Sequence, residues 1–298
     1  TSFLDPKQRV SREYISRMLH ARFCIEAGGL PQNVIEKLNS INGSHTRFNI
    51  FVDTNFLFSL LRLHDNPSNE AAKELKELIL GLKTGPKIQF YILPSTIKEA
   101  KAALHFFKTE LSEYPLGRGF NSLGDSLNFS GITSKFLSER QNQDGNLSPE
   151  EWFDPYINDF VSFSRSDGIE LFNDNLESYS MRQEVIDDIH QVQDHEGRNV
   201  KESRQKTYEK IAHDVTLWHF VKDRRPSYVE SPLDVQDWIL TLDFRLIGFD
   251  DHKQRHLGLN VPICLSPTSL IQLLRFWVPR SEEFETAIMG SLRLPFLF

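Results

Sequence analysis

The sequence predicts an α/β fold in which helices flank both faces of a parallel β-sheet. Short runs of apolar, β-branched and aromatic residues alternate with longer stretches that repeat apolar residues at helical spacing. Strands separated by helices pair in parallel, because the intervening helix returns the chain to the same end of the sheet. A hydrophobic fraction of 39% and a charged fraction of 25% are ordinary globular values and exclude bulk disorder.

The first half of the chain supplies two of the predicted strands. Residues 47–53 and 87–93 are short apolar runs typical of buried strands. Helices are predicted over 56–63, over 69–82 and from Pro94 to about Glu113, since proline suits the first turn of a helix.

A different pattern occupies residues 114–200. Glycine, serine and asparagine in 117–134 predict a loop, and helical stretches are predicted over 148–164 and 168–196, so the region forms a mostly helical insertion. The strand–helix alternation then resumes. It predicts a helix over 200–222, strands over 237–243 and 261–265, and a helix over 267–277.

These assignments divide the chain into three parts. Residues 1–46 form an N-terminal helical extension with a helix over 6–28, residues 47–278 form the α/β domain with its insertion at about 114–200, and 279–298 form a C-terminal segment. The chain begins at Thr1 without Met and ends on the apolar residues LRLPFLF. We therefore expect a fragment of a longer protein, in which the C-terminal segment packs on a further region.

Composition excludes several classes of protein. The chain contains no stretch of about 18 apolar residues, so no membrane span is predicted. The charged N-terminal residues lack the apolar core of a signal peptide. Two widely separated cysteines, Cys24 and Cys264, predict a cytoplasmic protein without a disulfide framework. A net charge of -7 argues against coating nucleic acid by bulk electrostatics. It does not exclude binding a strand in an acidic pocket where cations supply the positive charge.

Four acidic residues form the candidate site. Asp53 and Asp243 each close a predicted strand, and parallel α/β sheets bind ligands beyond the carboxyl ends of their strands. Asp214 lies within the apolar stripe of its helix, where an unpaired carboxylate is unfavourable. Glu99 lies in the first turns of the helix that begins at Pro94.

Each acid also has a purely structural interpretation, which the sequence leaves open. Asp53 is placed to cap the helix that follows it, and Asp243 to act as a turn residue. Asp214 has Lys210 one helical turn before it as a partner for an ion pair. Glu99 follows a threonine at the spacing of a capping box.

As a group, the four acids predict a divalent-cation site. Clustered carboxylates repel each other and raise each other's pKa unless cations neutralise them. Ligands that are all oxygen favour Mg²⁺ or Mn²⁺ over zinc. One or two such ions can activate a water and stabilise the leaving oxygen of a phosphodiester. The predicted metal ligands and catalytic residues are Asp53, Glu99, Asp214 and Asp243.

Four segments resemble, in order, the sequence blocks of PIN-domain nucleases. FNIFVDTNFLFSLL resembles the first block, with an acid, a hydroxyl and an amide at Asp53, Thr54 and Asn55. LPSTIKEA, KIAHDVTLWHFV and WILTLDFRL resemble the next three, and VPICLSPTSLIQLL resembles the closing strand and helix. The acids of these three blocks fall on Glu99, Asp214 and Asp243, with Thr241 as the hydroxyl of the last block.

The resemblance covers roughly 47–113 and 200–278. It implies a Mg²⁺- or Mn²⁺-dependent phosphodiester hydrolase, an endoribonuclease that acts on single-stranded RNA. Asn55 and Thr241 would orient the acids or a water. Lys210 and Arg245 are the candidates for contacts with substrate phosphates.

The segment between the second and third acidic blocks is far longer than in compact toxin-type members of this family. We therefore expect residues 114–200 to form a lid or a surface for a protein partner. The basic run over 197–206 is interpreted as a solvated helix face rather than a phosphate contact, and residues 250–256 as a surface loop.

Two other functions stay open. One is a catalytically silent PIN-like module that binds RNA or protein, and the other is a structure-specific DNA nuclease. Retention of all four acids favours the nuclease, because a scaffold has no physical need for Asp214 on an apolar stripe. RNA is the expected nucleic-acid partner ahead of DNA, a membrane partner is not expected, and a homo-oligomer is left open.

Overall fold

The fold is described from a computed structural model. It describes residues 47–66, 68–82, 86–113, 131–174, 176–229 and 231–274. Three of the predictions lie outside the described residues: the N-terminal helices within 1–46, most of the loop over 117–134, and the C-terminal segment 279–298.

Five parallel strands form one sheet, which confirms the predicted fold class. The strands are β1 (Arg47–Val52), β2 (Lys87–Ile92), β3 (Ile169–Leu171), β4 (Asp237–Leu240) and β5 (Cys264–Leu265). Their spatial order is β3-β2-β1-β4-β5. Val52 pairs with Leu240, so β1 and β4 end side by side.

Helices connect the strands and cover the sheet. In chain order they are α1 (Thr54–Leu60), α2 (Ser68–Leu80), α3 (Pro94–Glu113), α4 (Gly131–Asn142), α5 (Pro149–Asn158), α6 (Phe160–Ser166), α7 (Glu177–Ser180), α8 (Gln183–Asn199), α9 (Tyr208–Asp223), α10 (Phe244–Leu257) and α11 (Pro267–Leu274). Helix α3 has both of its predicted ends. Among the described residues, every helix is too short or too polar to cross a membrane.

The sheet buries both of its faces. Phe48, Ile50 and Val52 of β1 pack on one face in a core that includes residues of α1, α2, α3 and α11. Phe51 packs on the other face against Phe220 of α9, with ring centroids 5.3 Å apart. Helix α8 packs in turn on α9. Burial on both faces explains why the strands are nearly continuous apolar runs rather than alternating ones.

The helix predicted over 168–196 is wrong at its N-terminal end. Ile169–Leu171 form the edge strand β3, which pairs with β2, and a short α7 precedes α8. Three residues are too few to show the alternation of a strand, so their apolar side chains fit a helical pattern equally well.

The helix predicted from residue 200 begins instead at Tyr208. A 3₁₀ turn over Glu202–Arg204 and three further residues precede it, and Thr207 occupies its N-cap position. The basic run over 197–206 is therefore only partly helical, and Lys206 lies in the turn that leads into α9.

The surface loop expected over 250–256 is also wrong, because these residues belong to α10. The helix ends at Gly258, whose φ of 65° is in the left-handed region that favours glycine. Asp250 is buried, and its carboxylate accepts hydrogen bonds from Ile263 N, Cys264 N and Trp218 Nε1 at 2.8–2.9 Å. A polar residue that faces inward interrupts the apolar spacing of a helix, so the sequence pattern does not predict the helix there.

The chain reverses its direction of travel across the sheet between β1 and β4. Strands β2 and β3 lie on one side of β1, and β4 and β5 lie on the other. In doubly wound sheets, such a switch point opens a crevice beyond the carboxyl ends of the two central strands. Asp53, directly after β1, and Asp243, shortly after β4, flank this crevice.

A buried polar network joins α1 to α2. The hydroxyl of Ser59 lies 2.8 Å from His64 Nε2 and 2.6 Å from the hydroxyl of Ser68. Burial lowers the pKa of His64 from 6.5 to about 4, so the folded protein holds this imidazole neutral at neutral pH. The unfolded chain binds a proton at His64 at a higher pH than the folded chain does.

The free energy of unfolding is therefore expected to decrease as the pH falls, because His64 binds a proton more readily in the unfolded chain. The contribution is complete above pH 6.5 and is lost as the pH falls through 4, and this shift corresponds to about 3 kcal/mol. Between pH 7 and pH 4, the unfolding free energy of the wild type should fall by about 3 kcal/mol more than that of His64→Gln. Urea denaturation at each pH measures the difference. The same difference for His190→Gln, a substitution of an exposed histidine, would contradict this origin.

Candidate metal centre

Asp53 occupies the end of β1, and both of its carboxylate oxygens are engaged. Oδ1 accepts a hydrogen bond of 2.7 Å from the backbone N of Thr54, which confirms that Asp53 caps α1. Oδ2 accepts a hydrogen bond of 2.9 Å from the hydroxyl of Thr241, and Asn55 Nδ2 donates to it at 3.5 Å. Asp53 is 2% exposed. The cap interpretation is thus correct but incomplete, because the same carboxylate links β1 to the residues after β4.

Glu99 approaches Asp53 from α3. Its Oε2 accepts a hydrogen bond from the hydroxyl of Thr54, and the same oxygen lies 3.3 Å from Nδ1 of His213. Thr96, the partner expected in a capping box, has its hydroxyl 3.3 Å from Nε2 of His213. Both side chains of the expected box therefore contact other elements that border the site.

His213 of α9 was not identified from the sequence. Its side chain is only 7% exposed. Nδ1 lies 3.6 Å from Asp214 Oδ1, in addition to its approach to Glu99, and forms no hydrogen bond with any described residue. Burial lowers the pKa of His213, but the carboxylates of Asp214 and Glu99 outweigh burial and raise the pKa to about 9.

Asp214 and Asp243 share a lysine partner. Lys206 Nζ lies 2.5 Å from Asp214 Oδ2 and 2.5 Å from Asp243 Oδ2. Burial lowers the pKa of Lys206, but the two carboxylates outweigh burial and raise it above its usual range. The buried ion pair anticipated for Asp214 thus exists, but its cation is Lys206, whereas Lys210 lies exposed on α9.

Two hydrogen bonds position Asp243, one at its side chain and one at its backbone. Its Oδ1 accepts a hydrogen bond of 2.8 Å from the backbone N of Arg245, so Asp243 caps α10. Its own backbone N donates to the hydroxyl of Thr241 at 2.9 Å. Thr241 therefore contacts both the first and the last of the four acids.

Buried Glu196 fixes the turn that carries Lys206. At the C-terminal end of α8, Glu196 accepts a hydrogen bond of 2.6 Å from the backbone N of Lys206. Its other oxygen accepts a hydrogen bond of 2.8 Å from Arg245, which also donates to the backbone O of Arg204 at 2.7 Å. Arg245, a candidate for contact with substrate, thus supports the turn that positions the ammonium of Lys206.

A closed ring of contacts unites the four predicted acids. In order, it passes through Asp53, Thr54, Glu99, His213, Asp214, Lys206, Asp243 and Thr241, and returns to Asp53. We call these eight residues the acidic ring. Its four carboxylates face one ammonium and one imidazole, so the ring carries excess negative charge that a cation can neutralise.

Burial and the neighbouring carboxylates both act on the pKa of Asp53. Burial raises this pKa to about 7, together with repulsion from Asp214 and Glu99. Burial also acts to raise the pKa of Asp214, but His213 and Lys206 outweigh burial and lower it. The lysine and the imidazole thus stabilise the charged form of Asp214, whereas burial and the neighbouring carboxylates disfavour the charged form of Asp53.

Three members of the acidic ring can hold one ion. One ligand atom from each of Asp53, Glu99 and His213 lies within 4.8 Å of the other two. The other two predicted ligands, Asp214 and Asp243, are engaged with Lys206. The predicted ligand set is therefore brought together as a cluster, and a histidine joins two of its members.

Signals for the two missed residues are present in the sequence, although they are weak. His213 directly precedes Asp214 in KIAHD, and a histidine beside a buried acid is a natural partner for it. Lys206 directly precedes Thr207, a residue type that caps helices. Recognition of that cap would have moved the helix start and placed the lysine at the end of α9 nearest the acids.

Replacement of Lys206 by Met is expected to destabilise the fold in a cation-dependent way. The substitution keeps an unbranched side chain and leaves two largely buried carboxylates without their ammonium. Without divalent ions, we expect a loss of about 3 kcal/mol in unfolding free energy, measured by urea denaturation. Excess Mg²⁺ or Mn²⁺ should recover part of it, because an ion can replace the ammonium.

Lys210→Met is the matched control, since this lysine is exposed one turn into α9. We expect it to change the unfolding free energy by less than about 0.5 kcal/mol. An equal effect of both substitutions, or no recovery with divalent ions, would contradict the assignment of Lys206 as the cation of the ring.

Comparison with known proteins finds no family model that matches the chain, no similar curated protein and no similar solved structure. The interpretation of the acidic ring therefore depends on its own residues, their spacing and their position at the switch point of the sheet.

Proposed function

We propose that the chain is a metal-dependent phosphodiester hydrolase, an endoribonuclease that acts on single-stranded RNA. The observation that carries the proposal is the acidic ring, in which four carboxylates meet at the switch point of a parallel sheet. The order of the four blocks that resemble PIN-domain nucleases supports the same function. The choice of RNA is what this resemblance implies, and the cytoplasmic location is proposed from the cysteine usage.

The charge of the substrate explains why an acidic site needs cations. A phosphodiester is an anion, and four carboxylates would repel it. Lys206 offsets part of this repulsion. A divalent cation, Mg²⁺ or Mn²⁺, would offset the rest. When bound, such an ion lowers the pKa of a water and stabilises the negative charge that develops on phosphate oxygens.

The side chains of the acidic ring would have different roles in the reaction. Thr241 and Asn55 orient Asp53 by hydrogen bonds to Oδ2. Asp214 and Asp243 hold Lys206 at the edge of the site, where its ammonium lowers the local negative charge. A water held beside these acids can transfer a proton to a carboxylate as its oxygen bonds to phosphorus. The phosphorus–oxygen bond to the leaving part of the strand then breaks, and the leaving oxygen takes up a proton to become a hydroxyl.

The two predicted phosphate contacts differ in their surroundings. Lys210 is exposed on α9 and stays a predicted contact. The guanidinium of Arg245 is engaged with Glu196 and the backbone of Arg204. We therefore assign Arg245 primarily to the support of Lys206.

Cleavage of labelled single-stranded RNA, beside DNA of the same sequence, tests the function. Cutting should require Mg²⁺ or Mn²⁺ and should be faster on RNA. Asp53→Asn and Asp214→Asn should each lower the rate at least about 100-fold, because each removes a charge that the ion or Lys206 requires. Asp194→Asn is the matched control: this aspartate lies on α8 with its side chain 75% exposed, and the rate should not change.

Other outcomes would point elsewhere. Preferential cutting of DNA would replace RNA as the substrate and favour the structure-specific DNA nuclease. If the folded wild type binds the ion and RNA but does not cut, the hydrolase is excluded and the binding module takes its place. A full rate in both Asp53→Asn and Asp214→Asn would remove the acidic ring from the reaction.

A further inference from the structure

The imidazole of His213 presents to the acidic ring a buried nitrogen, Nδ1, which lies 3.3 Å from Glu99 Oε2 but forms no hydrogen bond with it. The side chain is 7% exposed, and Nδ1 forms no hydrogen bond with any of the residues that the structure describes. Buried polar atoms without a partner are rare in native proteins, because each loses its interaction with water without replacement. A group that is not a side chain of the ring is therefore expected to complete Nδ1.

The other ring nitrogen has a partner that is compatible with the tautomer required to bind such a group. Nε2 lies 3.3 Å from the hydroxyl of Thr96, a residue with no exposed surface. With Nε2–H donating to this hydroxyl, the lone pair of the neutral imidazole is on Nδ1. Histidines that bind metals characteristically have their second nitrogen held in this way.

The spacing of the donors suits a single small ion. Two ligand atoms about 2.1 Å from an ion, at angles between 90° and the tetrahedral value, lie about 3.0–3.4 Å apart. Nδ1 of His213 and Oε2 of Glu99 are 3.3 Å apart. A ligand atom of Asp53 also lies within 4.8 Å of ligand atoms of Glu99 and His213, so these three residues can surround one ion.

Lys206 decides which carboxylates are left for the ion. Its ammonium takes one oxygen each from Asp214 and Asp243, so a positive charge already neutralises that side of the ring. Asp53 instead accepts hydrogen bonds from three neutral residues, Thr54, Thr241 and Asn55. One ion per chain therefore suits the side of the ring at Asp53.

We propose that this ion is a first-row transition-metal ion, held by Asp53, Glu99 and Nδ1 of His213 in preference to Mg²⁺. Mg²⁺ binds oxygen ligands almost exclusively, whereas an imidazole nitrogen favours Mn²⁺, Fe²⁺ or Zn²⁺. The inference deepens the proposed function, since it names the ion of the same site, but it concerns binding and holds whether or not the chain cuts RNA.

Titration of the full chain with Mn²⁺, followed by the electron paramagnetic resonance signal of free Mn²⁺, tests the proposal. We expect one Mn²⁺ per chain, displaced by Zn²⁺ at far lower concentration than by Mg²⁺, with at least a 10-fold preference for Mn²⁺ over Mg²⁺. His213→Asn should weaken Mn²⁺ binding at least 10-fold and change Mg²⁺ binding less than 3-fold. His190→Asn, which replaces an exposed histidine of α8, should change neither.

A measurement on the wild type avoids dependence on the folding of a variant. The electron spin echo of bound Mn²⁺ should show modulation by a directly coordinated ¹⁴N nucleus, and this modulation should vanish in His213→Asn. Absence of nitrogen modulation in the wild type, equal affinities for Mn²⁺ and Mg²⁺, or unchanged Mn²⁺ binding in His213→Asn would overturn the proposal.

The outcome is separable from that of the cleavage assay. Nitrogen-coordinated Mn²⁺ without cleavage of RNA or DNA would uphold the ion and exclude the hydrolase. Cleavage with Mg²⁺, together with Mn²⁺ that shows no nitrogen coupling, would uphold the hydrolase and exclude the ion.

Discussion

Repulsion between carboxylates at the switch point of the sheet is the constraint to which the neighbouring elements respond. Two unit charges 4 Å apart interact by about 4 kcal/mol at an effective dielectric constant of 20. Four carboxylates gathered around one crevice would therefore oppose folding if no cation accompanied them. Parallel strands nevertheless bring them together, because β1 and β4 end side by side and their next residues share one crevice.

The surrounding helices meet this constraint by bringing cations to the acids. The turn before α9 delivers the ammonium of Lys206, and α9 itself delivers the imidazole of His213. Glu196 of α8 holds the turn by its backbone. In the absence of an ion, the carboxylates favour the protonated imidazole, which acts as a provisional counterion. A bound divalent cation would displace that proton, since metal-binding histidines are neutral.

The parts of the fold that were predictable are those that a local pattern determines. Helix α3 begins with a proline, which fits the first turn, and β1 and β2 are short, mostly apolar runs, so their bounds agree closely with the sequence. The convergence of Asp53 and Asp243 followed from the rule that ligands bind at the carboxyl ends of parallel strands. Asp214 was identified because a carboxylate inside an apolar stripe demands a partner.

The features that were missed depend on contacts between distant segments. The three residues of β3 become a strand only through pairing with β2. Asp250 faces inward only because the backbone before β5 supplies hydrogen bonds to it. Lys206 finds its acids because Glu196 fixes the turn, and the role of His213 emerges only when α3 and α9 meet. Periodicity along one segment contains none of this information.

The bridge made by Lys206 has a consequence for how substitutions in the ring combine. Asp214 and Asp243 share one ammonium, so removal of either leaves the lysine bound to the other and relieves the repulsion between them. Removal of both instead leaves a largely buried ammonium with neither of these partners. Groups that share a partner are thermodynamically coupled, and their free-energy effects do not sum. The two acids, which lie on different elements, therefore behave in a double-mutant cycle as parts of one unit.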